Sequence, residues 1–322
     1  METVFIAPEE CGQLSEMHNG DGFNIRYDQE DAGTFTGECL YRGNMNMVFC
    51  RERYSRGICV HGTVPYGMVT AVMSTKRKGS AWMNGEELAP DCLGVLTPGD
   101  EGAFRAPAGQ GFTNFIIAHE RLERAVRALY QLPLSEVLKH TATLHLPTIA
   151  MSLLRESTTE VFTPKSPDAI LRAEVWDRKC EGSVLQALCV ALAADHAQPS
   201  DRLAVRNHWR TARHVRNYIE ANLSEMLDLE MLCHESGVSA RTLENAFQEV
   251  YGVGPLQFIR RRRLNAVRHA LKAADPEESS VKSIAVQMGF THLGRFSDAY
   301  QAMFGETPSC TLKGKRGGGA AH

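Results

Sequence analysis

The sequence predicts a two-domain α+β chain, with a front part of short antiparallel strands and an all-α rear part. Three observations predict this. Residues 1–117 alternate short apolar runs with Gly, Pro, Asn and Asp turn signals. From His119 onward the apolar residues recur at helical spacing instead. Residues 228–310 then repeat one plan twice: an amphipathic helix, a glycine turn, and a second helix with an apolar inner face. A length of 322 residues suits two domains, and an apolar fraction of 43 % suffices for two cores.

In the front part the strand candidates include Met45–Cys50, Met68–Ser74, Leu93–Thr97 and Phe112–Ala118. Asn84-Gly85, between Ala81-Trp82-Met83 and Glu86-Glu87-Leu88, predicts a two-residue hairpin, because both residues accept positive φ. Thr97-Pro98-Gly99-Asp100 predicts another turn. Many short strands with tight turns lead to a barrel or a sandwich. No His-x-His-plus-Glu cluster and no nucleophile–base constellation stands in this part, so neither a metal nor an enzymatic activity is expected.

Short helices over Glu120–Leu129, Leu134–His140 and Thr148–Glu156 would cap the strands. Pro164 and Pro167 interrupt the chain before Asp168–Asp195, the longest helical pattern. Its stripe is Ala173, Trp176, Cys180, Val184, Ala187 and Ala191, widened by Leu185, Leu188 and Leu192. Such a stripe fits either an internal core helix or one that pairs with a second copy. His196–Asp201 reads as a linker, and Arg206–Leu223 as the first rear helix. The predicted units are a β-rich domain over 1–165, a long helix over 166–197, a linker over 198–204 and a helical domain over 205–318.

The net charge of −3 conceals an asymmetry: residues 1–204 carry −7 and residues 205–322 carry +4. A basic rear part on an acidic front fits a nucleic-acid module attached to another domain. The nine cysteines form no Cys-x-x-Cys pair, which predicts buried reduced thiols. No apolar run approaches the length of a membrane span and no leader pattern opens the chain, so a cytoplasmic protein is expected, with no membrane contact.

In the first rear repeat Leu229, Leu232 and Cys233 give the inner stripe, and Gly237 stands where the chain leaves the helix. Ser239 is placed to cap the next helix, whose inner face is Leu243, Ala246, Phe247 and Val250. In the second, Ile284, Ala285 and Met288 precede Gly289, and Phe296, Tyr300 and Phe304 form the following inner face. Between them runs a helix opened by Pro255, with Leu256, Ile259, Leu264, Val267 and Leu271 on one face. These are two helix-turn-helix units on one connecting helix.

The rear third resembles the AraC/XylS family of bacterial transcription regulators. The resemblance rests on Gly237-Val238-Ser239, Leu243, Phe247, Gly252, Gly254-Pro255, Arg263-Leu264, Ala266, Ile284-Ala285, Gly289-Phe290, Phe296, Phe304-Gly305 and Thr307-Pro308. It implies a regulator that binds double-stranded promoter DNA, acts as a homodimer through the long helix, and works with RNA polymerase. It also implies a cupin-like antiparallel sensory barrel in front. The sequence departs from the family at Asn245 and Asp298, where a basic residue is common, and at Cys310-Thr311, where an aromatic–basic pair is usual.

Within that frame the residues available for base readout are Arg241, Glu244 and Asn245 in the first unit and His292, Arg295 and Asp298 in the second. Arg can pair with guanine, Asn with adenine, and a carboxylate with the cytosine amine. Thr242, Arg260, Arg261 and Arg262 are the expected phosphate contacts, whereas Arg263 resembles an internal position. The dimer contact would use Trp176, Cys180, Val184 and Ala187. No cofactor is expected. For an effector, Arg51, Arg53, Arg56 and Arg77 with Tyr66 suggest an anion, including a nucleotide second messenger.

Overall fold

The computed structural model describes residues 2–20, 23–44, 46–75, 81–138, 141–162, 173–196 and 203–314. The front domain runs β1 (Glu2–Ile6), α1 (Cys11–Gly20), β2 (Asn24–Gln29), β3 (Gly37–Asn44), β4 (Met47–Tyr54), β5 (Ile58–Thr63) and β6 (Met68–Ser74). It continues with β7 (Ala81–Met83), β8 (Glu86–Leu88), β9 (Cys92–Leu96), β10 (Glu101–Ala106) and β11 (Gly111–Ala118). Then come α2 (His119–Tyr130), α3 (Leu134–Val137), β12 (Ala142–His145), α4 (Thr148–Phe162) and α5 (Ala173–His196). The expected hairpin is there: Asn84 and Gly85 take φ of 55° and 87°, and Met83 pairs with Glu86.

The strands form two antiparallel sheets, in the orders β1-β3-β4-β11-β6-β9-β12 and β2-β5-β10-β7-β8. The sheets are not closed into a barrel, which corrects the cupin-like closure expected from the resemblance. Each sheet keeps two edges, and they face one another as a sandwich. Several elements were not singled out in the sequence reading, among them β1, β2, β3, β5, β10, α1 and β12. Helix α1 has little amphipathic pattern, and β12 is a short strand embedded among helices.

Side-chain alternation assigns the layers. On the seven-stranded sheet, Phe49, Ala71, Met73 and Phe115 pack against α2, α4 and α5, while Tyr54, Val72 and Phe112 face the second sheet. Helix α5 is internal to this packing. Cys180, Val184, Ala187 and Ala191 are all buried in the same core as Leu122 of α2 and Leu154 and Val161 of α4. The stripe expected to meet a second copy is therefore covered within one protomer, which corrects the dimer assignment of Cys180, Val184 and Ala187. The side chain of Trp176 lies outside the described residues, as do the residues expected to form the linker, save for α6's start.

The rear domain is α6 (Leu203–Ala221), α7 (Leu229–Ser236), α8 (Ala240–Tyr251), α9 (Pro255–Ala273), α10 (Val281–Gln287), α11 (Leu293–Phe304) and α12 (Pro308–Lys313). The caps are local and explicit. Asp228, Ser239, Ser280 and Thr307 each accept a backbone N–H of the helix they open. Gly237 closes α7 at φ 66°, a conformation that a Cβ disfavours. Helix α9 serves two cores: Phe258 and Ile259 pack with α6–α8, and Leu264, Val267 and Leu271 with α10–α12. Leu256, expected on its inner face, is exposed. Phe258 takes that place against Tyr251, with ring centroids 4.6 Å apart.

Candidate nucleic-acid interface and the contacts that restrain it

Helices α8 and α11 each bury one face and expose the other. Leu243, Ala246, Phe247 and Val250 hold α8 inward, so Arg241, Glu244, Asn245 and Gln248 project outward. Phe296, Tyr300 and Phe304 do the same for α11, leaving His292, Arg295, Asp298 and Gln301 exposed. Both outward faces are polar and placed on rigid, capped helices, as direct base readout requires.

Not every outward residue is equally available. The carboxylate of Glu244 leans on Gly254, where a Cβ would lie only 2.3 Å from Oε2. Gly254 is the N-cap of α9, and a carboxylate there interacts favourably with the helix dipole. The Thr242 hydroxyl lies 2.9 Å from that of Ser239, inside the cap of α8. Gln248 donates to the carbonyl of Gly252. Arg241, Asn245, His292, Arg295 and Asp298 have exposed side chains.

The arginine run on α9 divides by direction. Arg260 is exposed. Arg263 donates to the backbone carbonyls of Leu223, Glu225 and Gly289, which ties the first unit to the second. Arg261 points at the front domain and Arg262 bonds mainly within the rear domain, against the expectation that they are phosphate contacts in this conformation. Arg261 lies 3.5 Å from Glu30. Arg262 bonds Glu220 at 2.9 Å and approaches Asp28 at 3.8 Å. Arg26 of β2 completes the group, reaching Asp28 at 3.0 Å and Glu220 at 2.7 Å.

This cluster belongs to a longer seam. Glu10 meets Arg268 at 3.5 Å and Lys272 at 3.3 Å, and Glu101 pairs with Arg216. Gln29 and Asn265 exchange hydrogen bonds at 3.1 Å in both directions, and Gly33 N–H donates to the Met303 carbonyl. At the centre, buried His61 of β5 packs edge-on against Tyr251 and Phe258. Burial, reinforced by Arg26, Arg216 and Arg262, holds the His61 pKa well below the usual histidine range, so the ring is neutral. Burial also lifts the Glu30 carboxyl to about 7, although Arg261 acts against it.

The expected effector cluster is not assembled. On β4, Arg51 stacks over Phe162, 4.3 Å from the ring centroid, on the helical side of the sheet. Arg53 is exposed, and Arg56 donates to the Thr34 carbonyl. Tyr66 is 91 % exposed and stands apart from these groups. Arg77 lies outside the described residues. A cavity of about 110 Å³ lies instead between the sheets, lined by Ile25, Glu52, Val60, Thr70, Phe104 and Phe112 among others. None of those arginines lines it. At the far sheet edge, Cys92 and His145 face each other across β9 and β12 with Sγ 3.2 Å from Nδ1. The Asp91 carboxylate joins them, so folding groups three donor atoms within 4.8 Å of one another although no sequence motif announced them.

Two outward helices on a shared connecting helix define a bipartite helix-turn-helix DNA-binding domain. Residues 232–314 match the family described as a helix-turn-helix domain. Over 99 residues the chain is 39 % identical to the XylDLEGF operon transcriptional activator of Pseudomonas putida, a match covering 31 % of each protein. It is 35 % identical over 97 residues to the probable thc operon regulatory protein of Rhodococcus erythropolis, covering 30 % of this chain and 29 % of that one. The chain thus spans about a third of the length of these curated relatives. A solved structure of a probable AraC family transcriptional regulator from Rhodopseudomonas palustris is 37 % identical. It covers 32 % of this chain and 95 % of its own, with a TM-score of 0.30. The rear third of the chain is an AraC-type helix-turn-helix domain. Among the described residues no helix is long and apolar enough to cross a membrane.

Proposed function

We propose that this protein is a transcription regulator whose front domain senses a small ligand and controls how the rear domain engages promoter DNA. The observation that carries the reading is the seam. Arg261, on the helix that joins the two DNA-reading units, is held across the seam by Glu30, and Arg262, bonded to Glu220 of its own domain, approaches Asp28 across it. A guanidinium engaged by carboxylates is not available to a phosphate, so closing the seam opposes DNA binding and opening it favours binding. The five-stranded sheet provides the link. On β5, Val60 and Gly62 line the cavity, while Cys59 and His61 face the rear domain. A ligand that favours one sheet geometry shifts the seam by its differential affinity for the two states.

The base-reading part is tested on the full chain by fluorescence anisotropy, with a duplex selected by the protein from a random pool. Arg241→Ala should cost about 1–3 kcal/mol and relax preference at one base pair. Arg260→Ala should weaken binding on every sequence and lower the salt slope by about 0.9. Identical behaviour of the two variants would refute the division into base and phosphate contacts.

A further inference from the structure

The cavity between the sheets is lined mostly by apolar side chains, and Glu52 is the carboxylate among them. Glu52 is 3 % exposed and lines the cavity. Its Oε1 accepts from the Tyr41 hydroxyl at 3.2 Å and from the Cys50 thiol at 3.1 Å, and its Oε2 accepts from the Asn114 amide at 2.9 Å. All three donors are neutral. Among the described residues no arginine, lysine or histidine forms an ion pair with Glu52. A buried carboxylate without a cation is costly, and neutral hydrogen bonds offset only part of that cost.

Two further groups on the lining are polar. The Thr70 hydroxyl lines the cavity, is buried, and has no hydrogen-bond partner. His18 also lines it. Its Nδ1 donates to the Leu14 carbonyl at 2.8 Å, which leaves Nε2 as an acceptor in the neutral ring. The amide of Asn114, which also lines the cavity, is already committed to Glu52. The arginines that suggested an anion lie on the opposite face of β4 or beyond it, because alternation sends Arg51 and Arg53 away from Glu52. An anion in this cavity would meet the Glu52 carboxylate, and no arginine or lysine lines it.

We propose that the cavity binds a small apolar ligand with a hydrogen-bond-donating head, above all a primary ammonium group, with Glu52 as its counter-charge. This rests on the sensing reading and gives the sensed molecule its chemical class. The ammonium would supply the charge that Glu52 lacks. Ile25, Val60, Val72, Phe104, Phe112 and Ile116 would enclose the hydrocarbon part.

The test uses the full-length protein and three probes of similar size: benzylamine, benzyl alcohol and benzoate. Calorimetry and thermal shift are expected to rank them amine, then alcohol, with no binding of benzoate. Glu52→Gln should weaken the amine at least tenfold and leave the alcohol within a factor of three. This variant is isosteric and removes an uncompensated charge, so it is expected to fold. Thr70→Val, four positions further along β11 than Glu52, is the control and should leave the amine within a factor of three. Tightest binding by benzoate, binding by none of the three, or amine affinity unchanged by Glu52→Gln would overturn the proposal. The sensing reading fails separately: it is refuted if the amine binds through Glu52 but leaves DNA affinity the same with and without saturating ligand.

Discussion

Asp28→Asn in the full-length protein is the sharpest perturbation of the seam. Asp28 is 8 % exposed and lies between Arg26 and Arg262, whose side chains are 29 % and 13 % exposed. Removing one partner of a fully buried pair costs about 3–5 kcal/mol. An exposed pair contributes only about 0–1 kcal/mol. Here Arg26 is partly solvated, Arg262 is 3.8 Å away, and Glu220 still neutralises both guanidiniums, so the loss falls at about 1–2 kcal/mol. Arg26 and Asp28 share β2, so only the part carried by the 3.8 Å pair with Arg262 holds the seam closed, and its removal raises DNA affinity by up to about tenfold, the equivalent of about 1.4 kcal/mol. The salt slope should steepen by about 0.9 for each arginine that gains a phosphate. Anisotropy titrations of wild type and variant between 50 and 200 mM salt, on the order of the range where such slopes are resolved, read both quantities. A variant that folds normally yet binds DNA with unchanged or weaker affinity refutes the competition between seam and phosphate.

Two other predictions address packing and pH. Val184 is fully buried among α2, α4 and α5, so Val184→Asp should lower the melting temperature sharply rather than yield a folded monomer; sedimentation that shows a native-like monomer would restore α5 as an interface. His61 is neutral in the closed protein, while in the unfolded chain it takes up a proton near pH 6.5, so its contribution is present above that pH and is lost as pH falls towards its depressed value. Glu30 acts with the opposite sign: its contribution is present below about pH 4.5 and is lost as pH rises through about 7. Comparing wild type with His61→Gln cancels the Glu30 part, and the difference in stability should shrink by up to about 1.4 kcal/mol per pH unit below 6.5. A difference that stays constant between pH 7.5 and 5.5, roughly one unit either side of the free histidine value, would remove His61 from the pH response.

What the sequence revealed depended on how local the causes were. The rear domain was legible because its determinants lie within a few residues of one another: Ser239 caps α8 through Thr242, Gly237 turns the chain, and the 3.6-residue stripe selects Leu243 and Phe247. The hairpin at Asn84-Gly85 was legible for the same reason. The exposed faces of α8 and α11 followed once their buried faces were known. The helical stripe on α5 showed that one face is covered but not by what; α2, α4 and the seven-stranded sheet cover it. Sheet closure depends on pairings between distant strands, and the pattern of short runs is common to sandwiches and barrels. The arginine run could be seen, but not its partners: Asp28 lies in β2 and Glu30 just after it, more than two hundred residues earlier. The one hint was the acidic front against the basic rear, read as a mark of nucleic-acid binding when it also describes two complementary surfaces.

In the proposed regulation, the alternation of β4 and β5 would join a ligand in the cavity to the DNA-binding domain through adjacent strands. On β4, odd positions Phe49 and Arg51 meet the helices, and even position Glu52 enters the cavity. On β5, Val60 and Gly62 enter that cavity from the other side, and the intervening His61 packs on Tyr251 and Phe258. A ligand between the sheets and the ends of helices α8 and α9 are therefore separated by one strand. No room exists at Gly62 for adjustment by a side chain, since a Cβ there would lie 2.4 Å from Ile25. Any change in sheet spacing made by a ligand at Glu52 must move β5 as backbone, and His61 moves with it. Asp28 sits on the neighbouring strand β2, registered to β5 through Asp28–Cys59 and Tyr27–Val60, and Glu30 directly follows that strand. Cavity, aromatic contact and Asp28 thus share one pair of hydrogen-bonded strands, so that a displacement at the first would be felt at the other two.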